Sequence, residues 1–186
     1  RLNYSYSKKD LVVLAEKAVI AYKIPSITPF LPKVQEYYPG TKLVIISRPA
    51  KDVFNSILAG GWFKKQNETL LWPGRVCEDG AVVPYWVDDE LAGRWNSLDE
   101  LHKTAYYYIT INKNIENLQS KIMFSYQQLI NDPLSATQKL AKELNLELGE
   151  KSEEIISTIK CQNKKMDERL LDKIEHEVLE QVNYYS

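Results

Sequence analysis

Leu43-Val44-Ile45-Ile46 restricts this chain more than any other segment. Successive side chains of a strand point to opposite faces, so four consecutive large aliphatics place apolar groups on both sides. Such a strand needs cover on both faces, as a central strand of a parallel sheet has. Pro39-Gly40 closes what comes before it. After it, Lys51 to Ala59 carry Val53, Phe54, Ile57 and Leu58 at helical spacing and run into Gly60-Gly61, a stop signal.

The alternation of strand and helix recurs along the chain. From Ser7 a helix is expected, with Leu11, Leu14 and Ala15 on one face, followed by the β-branched run Ala18 to Tyr22 that ends at Lys23 and Pro25. Pro29 to Tyr38 reads as a helix burying Phe30, Leu31, Val34 and Tyr37. Residues 62 to 96 show neither period. Ser97-Leu98-Asp99-Glu100 has the pattern of a capping box, opening a long helix with Leu101, Ala105, Tyr108, Ile109, Ile115 and Leu118 on one broad face. Only part of Tyr106-Tyr107-Tyr108 can face that side. Lys121 to Tyr126 is the next expected strand. Asn131-Asp132-Pro133 supplies a cap and a proline just inside the following helix, whose stripe is Leu134, Thr137, Leu140, Ala141 and Leu144. Two further helices are expected over Ser152 to Lys160 and Asp167 to Val182.

The expected fold class is therefore α/β, a mostly parallel sheet flanked by helices and joined by right-handed crossovers. Ligands in such sheets sit beyond the carboxyl ends of the strands, which singles out Lys23 to Ile27, Ser47 to Ser56 and Tyr126 onward. There is no internal repeat. A length of 186 residues, 44% of them hydrophobic, suits one domain.

Charge and cysteine content exclude several classes of function. Twenty-four basic against 25 acidic residues give a net charge of -1, without the electropositive field that nucleic-acid binding uses. The apolar runs Leu11 to Ala15 and Ala18 to Tyr22 are broken by Glu16 and Lys17 and fall short of the ~20 residues of a membrane span. Cys77 and Cys161 have no spacing that would hold a metal or frame a disulfide scaffold. Asn3-Tyr4-Ser5 and Asn67-Glu68-Thr69 fit the glycosylation pattern without an accompanying signal peptide, and a cytoplasmic setting is expected.

Arg48 follows the aliphatic strand directly, and Ser56 lies two turns into the next helix. A forked guanidinium, a hydroxyl and the amides of a helix start can converge on one anion such as a phosphate. In the competing reading Arg48 pairs with Asp52, and Ser56 is a surface or packing serine.

The segment from Pro39 to Ser56, with Ser47-Arg48-Pro49-Ala50-Lys51-Asp52 at its centre, resembles the 3'-phosphate-binding segment of the sulfotransferase family. Met123 to Pro133, leading into a helix that ends at Leu144-Asn145-Leu146, is similar to that family's tyrosine-bearing strand and turn. Lys23-Ile24-Pro25 sits where the family often has a lysine-threonine-proline segment. The three anchors occur in family order over residues 18 to 148. The resemblance implies a fold of the P-loop nucleoside triphosphate hydrolase type. It implies that 3'-phosphoadenosine 5'-phosphosulfate (PAPS) is the co-substrate, with no metal, and that a small-molecule or saccharide hydroxyl is the acceptor. Arg48 and Ser56 would hold the 3'-phosphate, Tyr126 would contact the nucleoside, and Lys23 would lie near the pocket.

Departures from the family pattern matter as much. The glycine- and serine-rich loop that grips the 5'-phosphosulfate does not occur before Lys23. Since Arg1 is not an initiator methionine, that loop is expected to have been removed, left unobserved or provided elsewhere, and the domain at 1–186 is expected to be incomplete at its N-terminus. No general base stands where the family places one: Pro25-Ser26-Ile27 occupies one such place, and His102 and His176 read as ordinary helix residues. Lys164, Lys165 and Arg169 are the available charges where the family has a basic, glycine-containing loop. Residues 60–96 hold all four tryptophans, an aromatic-rich insertion that reads as an acceptor-side wall, as a satellite core, or as both. The expected activity is sulfuryl transfer. The alternative is a catalytically inactive module of the same ancestry that binds nucleotide or a partner. A kinase relative acting on ATP lacks its lysine-bearing loop and magnesium carboxylate here.

Overall fold

The structure is a computed structural model and describes residues 23, 25–158 and 168–186. The expected helix from Ser7 and strand from Ala18 to Tyr22 lie outside the described residues, as do Cys161, Lys164, Lys165 and the side chain of Arg169. A 3-10 turn over Pro25–Phe30 leads into α1 (Leu31–Tyr37), a shorter helix than the expected Pro29 to Tyr38. Leu31 is buried, but Tyr37, expected on the same inner face, is 73% exposed because it falls on the last turn, past the body it packs against.

The sheet among the described residues has two parallel strands, β1 (Val44–Ser47) and β4 (Ile122–Ser125), which gives the α/β class. Their register pairs Val44 with Ile122 and Ser47 with Ser125. The expectation that β1 is buried on both faces is corrected: Ile46 is 53% exposed, and Met123 of β4, the register partner of Ile45, is 52% exposed. β1 has one strand neighbour among the described residues, and its apolar run is covered on one side, where Leu43 and Ile45 pack with Leu31 and Leu118.

α2 (Ala50–Gly60) follows β1 and ends where Gly61 adopts a left-handed φ of 58°. That conformation suits glycine and supplies the helix stop. Residues 62 to 96, which show no period, are nonetheless ordered into α3 (Lys65–Leu71), a hairpin of β2 (Gly74–Val76) and β3 (Val82–Pro84), and α4 (Asp89–Trp95). Their elements are only three to seven residues long, too short for a period to emerge.

α5 (Glu100–Glu116) is the central helix. Its cap is Asp99, whose carboxylate accepts from the His102 amide, and not Ser97 as the capping-box pattern suggests. Ser97 instead donates its hydroxyl to the Arg94 carbonyl. α5 buries more than one face. Leu101, Ala105, Tyr108 and Ile109 join Ala50 and Phe54 of α2, while Tyr107 enters an aromatic cluster on another side.

After β4 come α6 (Tyr126–Asn131) and α7 (Pro133–Leu144). Asp132 caps α7 through the Ser135 amide with Pro133 just inside, as the sequence predicts. α8 covers Ser152–Ser157. The helix expected from Asp167 to Val182 is a 3-10 turn over Glu168–Lys173 followed by α9 (His176–Tyr184), whose Val178 and Val182 pack with α5.

Candidate functional site

β1 and β4 end level with each other, because Ser47 and Ser125 are register partners. The next residues on the two strands are Arg48 and Tyr126. The chain therefore delivers a guanidinium and a phenol ring to the same edge, and they meet: the Arg48 guanidinium carbon lies 4.3 Å from the centre of the Tyr126 ring. At that distance a cation over an aromatic face is attracted by the ring quadrupole. The competing reading, an Arg48–Asp52 pair, is not what forms; no ion pair among the described residues involves Arg48.

The Arg48 Nε is buried and has no hydrogen-bond partner. A buried donor without an acceptor carries a desolvation cost of about 1–3 kcal/mol, which the unpaired indole N–H groups of Trp72 and Trp86 share. Two residues further on, α2 begins at Ala50, with Pro49 at the N-cap position and no side-chain cap. The Asp52 and Val53 amides close back on the Pro49 carbonyl at 3.0 and 3.2 Å, which leaves the Ala50 and Lys51 amides as spare donors. Asp52 in the first turn partly offsets the positive end of the helix dipole.

The four residues singled out in sequence do not all converge. Arg48 and Tyr126 are in contact. Ser56 is exposed on α2, away from the buried Phe54 and Ile57, and Lys23 is exposed at the margin of the described residues. Neither makes a hydrogen bond or ion pair with the stacked pair.

A concavity of about 210 Å³ opens at the other end of the sheet, lined by Lys42, Leu43, Ser120, Lys121, Ile122 and Glu143. Its two lysines are already engaged. The Lys121 ammonium donates to the carbonyls of Ile115, Glu116 and Leu118 at 2.7, 3.2 and 3.3 Å, and that of Lys42 to Leu144 at 3.1 Å. They close the carboxyl ends of α5 and α7, so this hollow has structural cations and not a built anion site.

No family model, curated protein or solved structure matches this chain. The functional reading thus rests on residue chemistry and geometry. Among the described residues no group of three His, Cys, Asp or Glu could hold a metal, and no helix is long and apolar enough to cross a membrane.

The tryptophan-rich insertion forms a core. Phe63 stacks on Trp72 at 5.0 Å and meets Trp86, Trp95 and Tyr107 edge-on at 5.8 to 6.3 Å. Burial pushes the Tyr107 hydroxyl well above the ordinary tyrosine range, against the effect of its hydrogen bond with Thr28. Sequence reasoning missed the polar centre of this cluster. Glu68 accepts from the Lys103 ammonium at 2.8 Å and from the Trp95 indole N–H, and the ammonium lies 5.1 Å over the Trp95 ring. No sequence signal marked it, since the helix also carries Glu100, His102, Asn112, Lys113 and Asn114 and the partner of Lys103 is 35 residues away.

Proposed function

We propose that this chain is the 3'-phosphate-binding part of a sulfotransferase that uses PAPS. The observation that carries the reading is Arg48, held over the Tyr126 ring at the carboxyl end of the sheet with its Nε buried and unpaired. A phosphate fits that site: its oxygens would take the Nε–H and one further guanidinium N–H as a fork, with the spare amides of α2 beside them. Ser56 would add a hydroxyl only to a ligand extending along α2, since it lies six residues, or roughly 9 Å of helix rise, beyond Ala50. Lys23 is the remaining cation assigned to the nucleotide.

When bound, PAPS supplies a sulfuryl group activated by a phosphate leaving group. Transfer to a hydroxyl acceptor forms an acceptor oxygen–sulfur bond and breaks the bond between sulfur and the bridging oxygen, with the acceptor proton passing to a base. The part assigned to this chain is binding: Arg48 fixes one end of the nucleotide, and fixing it orients the other. A small-molecule or saccharide alcohol is the acceptor class.

Calorimetric titration with adenosine 3',5'-bisphosphate at moderate salt tests the reading. Wild type is expected to bind, and Arg48→Ala to lose about 2 kcal/mol or more. Equal binding by both proteins, or none by wild type, overturns it. Binding without sulfuryl transfer to any hydroxyl acceptor points instead to the inactive nucleotide-binding module.

A further inference from the structure

Resting on the 3'-phosphate reading, we propose that Tyr126 is a positioning residue that acts through Arg48, and that its ring is not the platform for the nucleoside. The face of the ring lies under the guanidinium, 4.3 Å from its carbon. A base stacking on that face would have to displace Arg48, and with it the group that recognises the phosphate.

The arrangement is set by the backbone. Ser47 and Ser125 are paired in the parallel ladder, so Arg48 and Tyr126 leave the sheet side by side. Tyr126 is also the first residue of α6, whose cap is Ser125, with the Gln128 amide 3.5 Å from its hydroxyl. Strand register on one side and a helix start on the other fix where the ring stands. Arginine is long and rich in rotamers, so an unheld side chain loses entropy on meeting an anion. A ring that already carries the guanidinium over its face removes part of that loss and leaves donors for the ligand. The unpaired Nε agrees with this division: the ring holds the cation, and the Nε still lacks an acceptor.

The ligand class that gains from such a device is a phosphate monoester, and the phenol hydroxyl has no part in it. The test compares two nucleotides, adenosine 3',5'-bisphosphate and adenosine 5'-monophosphate, titrated onto the full protein and its Tyr126→Phe, Tyr126→Leu, Arg48→Lys and Arg48→Ala variants. Tyr126→Phe should match wild type within about twofold. Tyr126→Leu should lose about tenfold for the bisphosphate and nothing for the monophosphate, and should add little in an Arg48→Ala background. Arg48→Lys, which keeps the charge but not the flat fork, should also lose the preference for the bisphosphate.

Equal weakening of both nucleotides by Tyr126→Leu would assign the ring to the nucleoside and overturn the proposal. So would a loss in Tyr126→Phe as large as that in Tyr126→Leu, which would assign the hydroxyl. Should Tyr126→Leu fail to fold by circular dichroism, Tyr126→Phe and Arg48→Lys decide alone. A wild type that holds the two nucleotides equally removes the 3'-phosphate reading itself, an outcome distinct from either of these.

Discussion

The Lys103 ammonium and the Glu68 carboxylate form a 2.8 Å ion pair with both side chains about nine-tenths buried, between α5 and α3. Removing one partner leaves the other as an uncompensated buried charge, which costs about 3–5 kcal/mol. Lys103→Met should therefore lower stability by that amount in urea denaturation. The double variant Glu68→Leu/Lys103→Met should recover part of the loss, because no lone charge remains while the Trp95 indole N–H loses its acceptor, at about 1–3 kcal/mol. A double variant as unstable as the single would show that the pair contributes by packing alone.

Phe63 touches four aromatic rings and is 3% exposed. Phe63→Ala leaves a void that these neighbours cannot close together, at a cost of about 3–5 kcal/mol. Thermal melting followed by near-ultraviolet circular dichroism should show a lower midpoint and a weakened tryptophan signal already below the transition. An unchanged aromatic signal would mean that the cluster does not depend on this ring.

Asp99 caps α5 and also accepts from the His102 ring at 2.8 Å. Burial raises its carboxyl, but the His102 hydrogen bonds and charge, with the Leu101 amide, outweigh this and hold it below the ordinary 3.8. A carboxyl lowered in the folded state adds stability above its unfolded value, and that contribution disappears as the pH falls through the folded value. Asp99→Ala should thus cost about 1 kcal/mol at pH 7, mostly as a lost cap. The difference from wild type should shrink below about pH 4. Denaturant titrations at pH 7 and pH 3 check both parts.

Gly61 and Asn145 both adopt left-handed backbone at helix ends, φ 58° and 57°. Gly61→Ala adds a Cβ in that conformation, 2.9 Å from the Lys64 side chain, and should cost about 1 kcal/mol. Asn145→Gly should be neutral or slightly stabilising, since asparagine tolerates the region but glycine does so without steric cost. Equal behaviour of the two substitutions in thermal melts would contradict the backbone account.

Local signals were legible in the sequence, and long-range ones were not. Asp132-Pro133, Gly60-Gly61 and the Leu43–Ile46 run each act within a few residues, and the elements they specify stand close to where they were read. The exposure of Ile46 could not be read, because burial of a strand depends on what lies over it. α4 offered a signal that went unused: Asp88, ahead of Asp89-Glu90, caps through the Leu91 amide. Lys103 was hidden for a different reason, since its partner Glu68 is 35 residues away and no pattern links them. At the candidate site, both Arg48 and Tyr126 were named from sequence. Their contact depends on strand register, which neither segment encodes alone.

Successive tyrosines on α5 serve separate clusters, Tyr107 among the tryptophans and Tyr108 against Phe54, while Leu118 just past its end lies under the sheet. One helix is thus a shared wall for all three apolar regions. Detaching it at any point exposes more than one of them, so the regions lack separate opening equilibria and amide exchange along α5 should report global unfolding. The helix that follows Arg48 leans on that wall through Ala50 and Phe54. The edge of the sheet that carries Arg48 therefore shares its lifetime with the tryptophan core, to which the same helix contributes Ile57 directly.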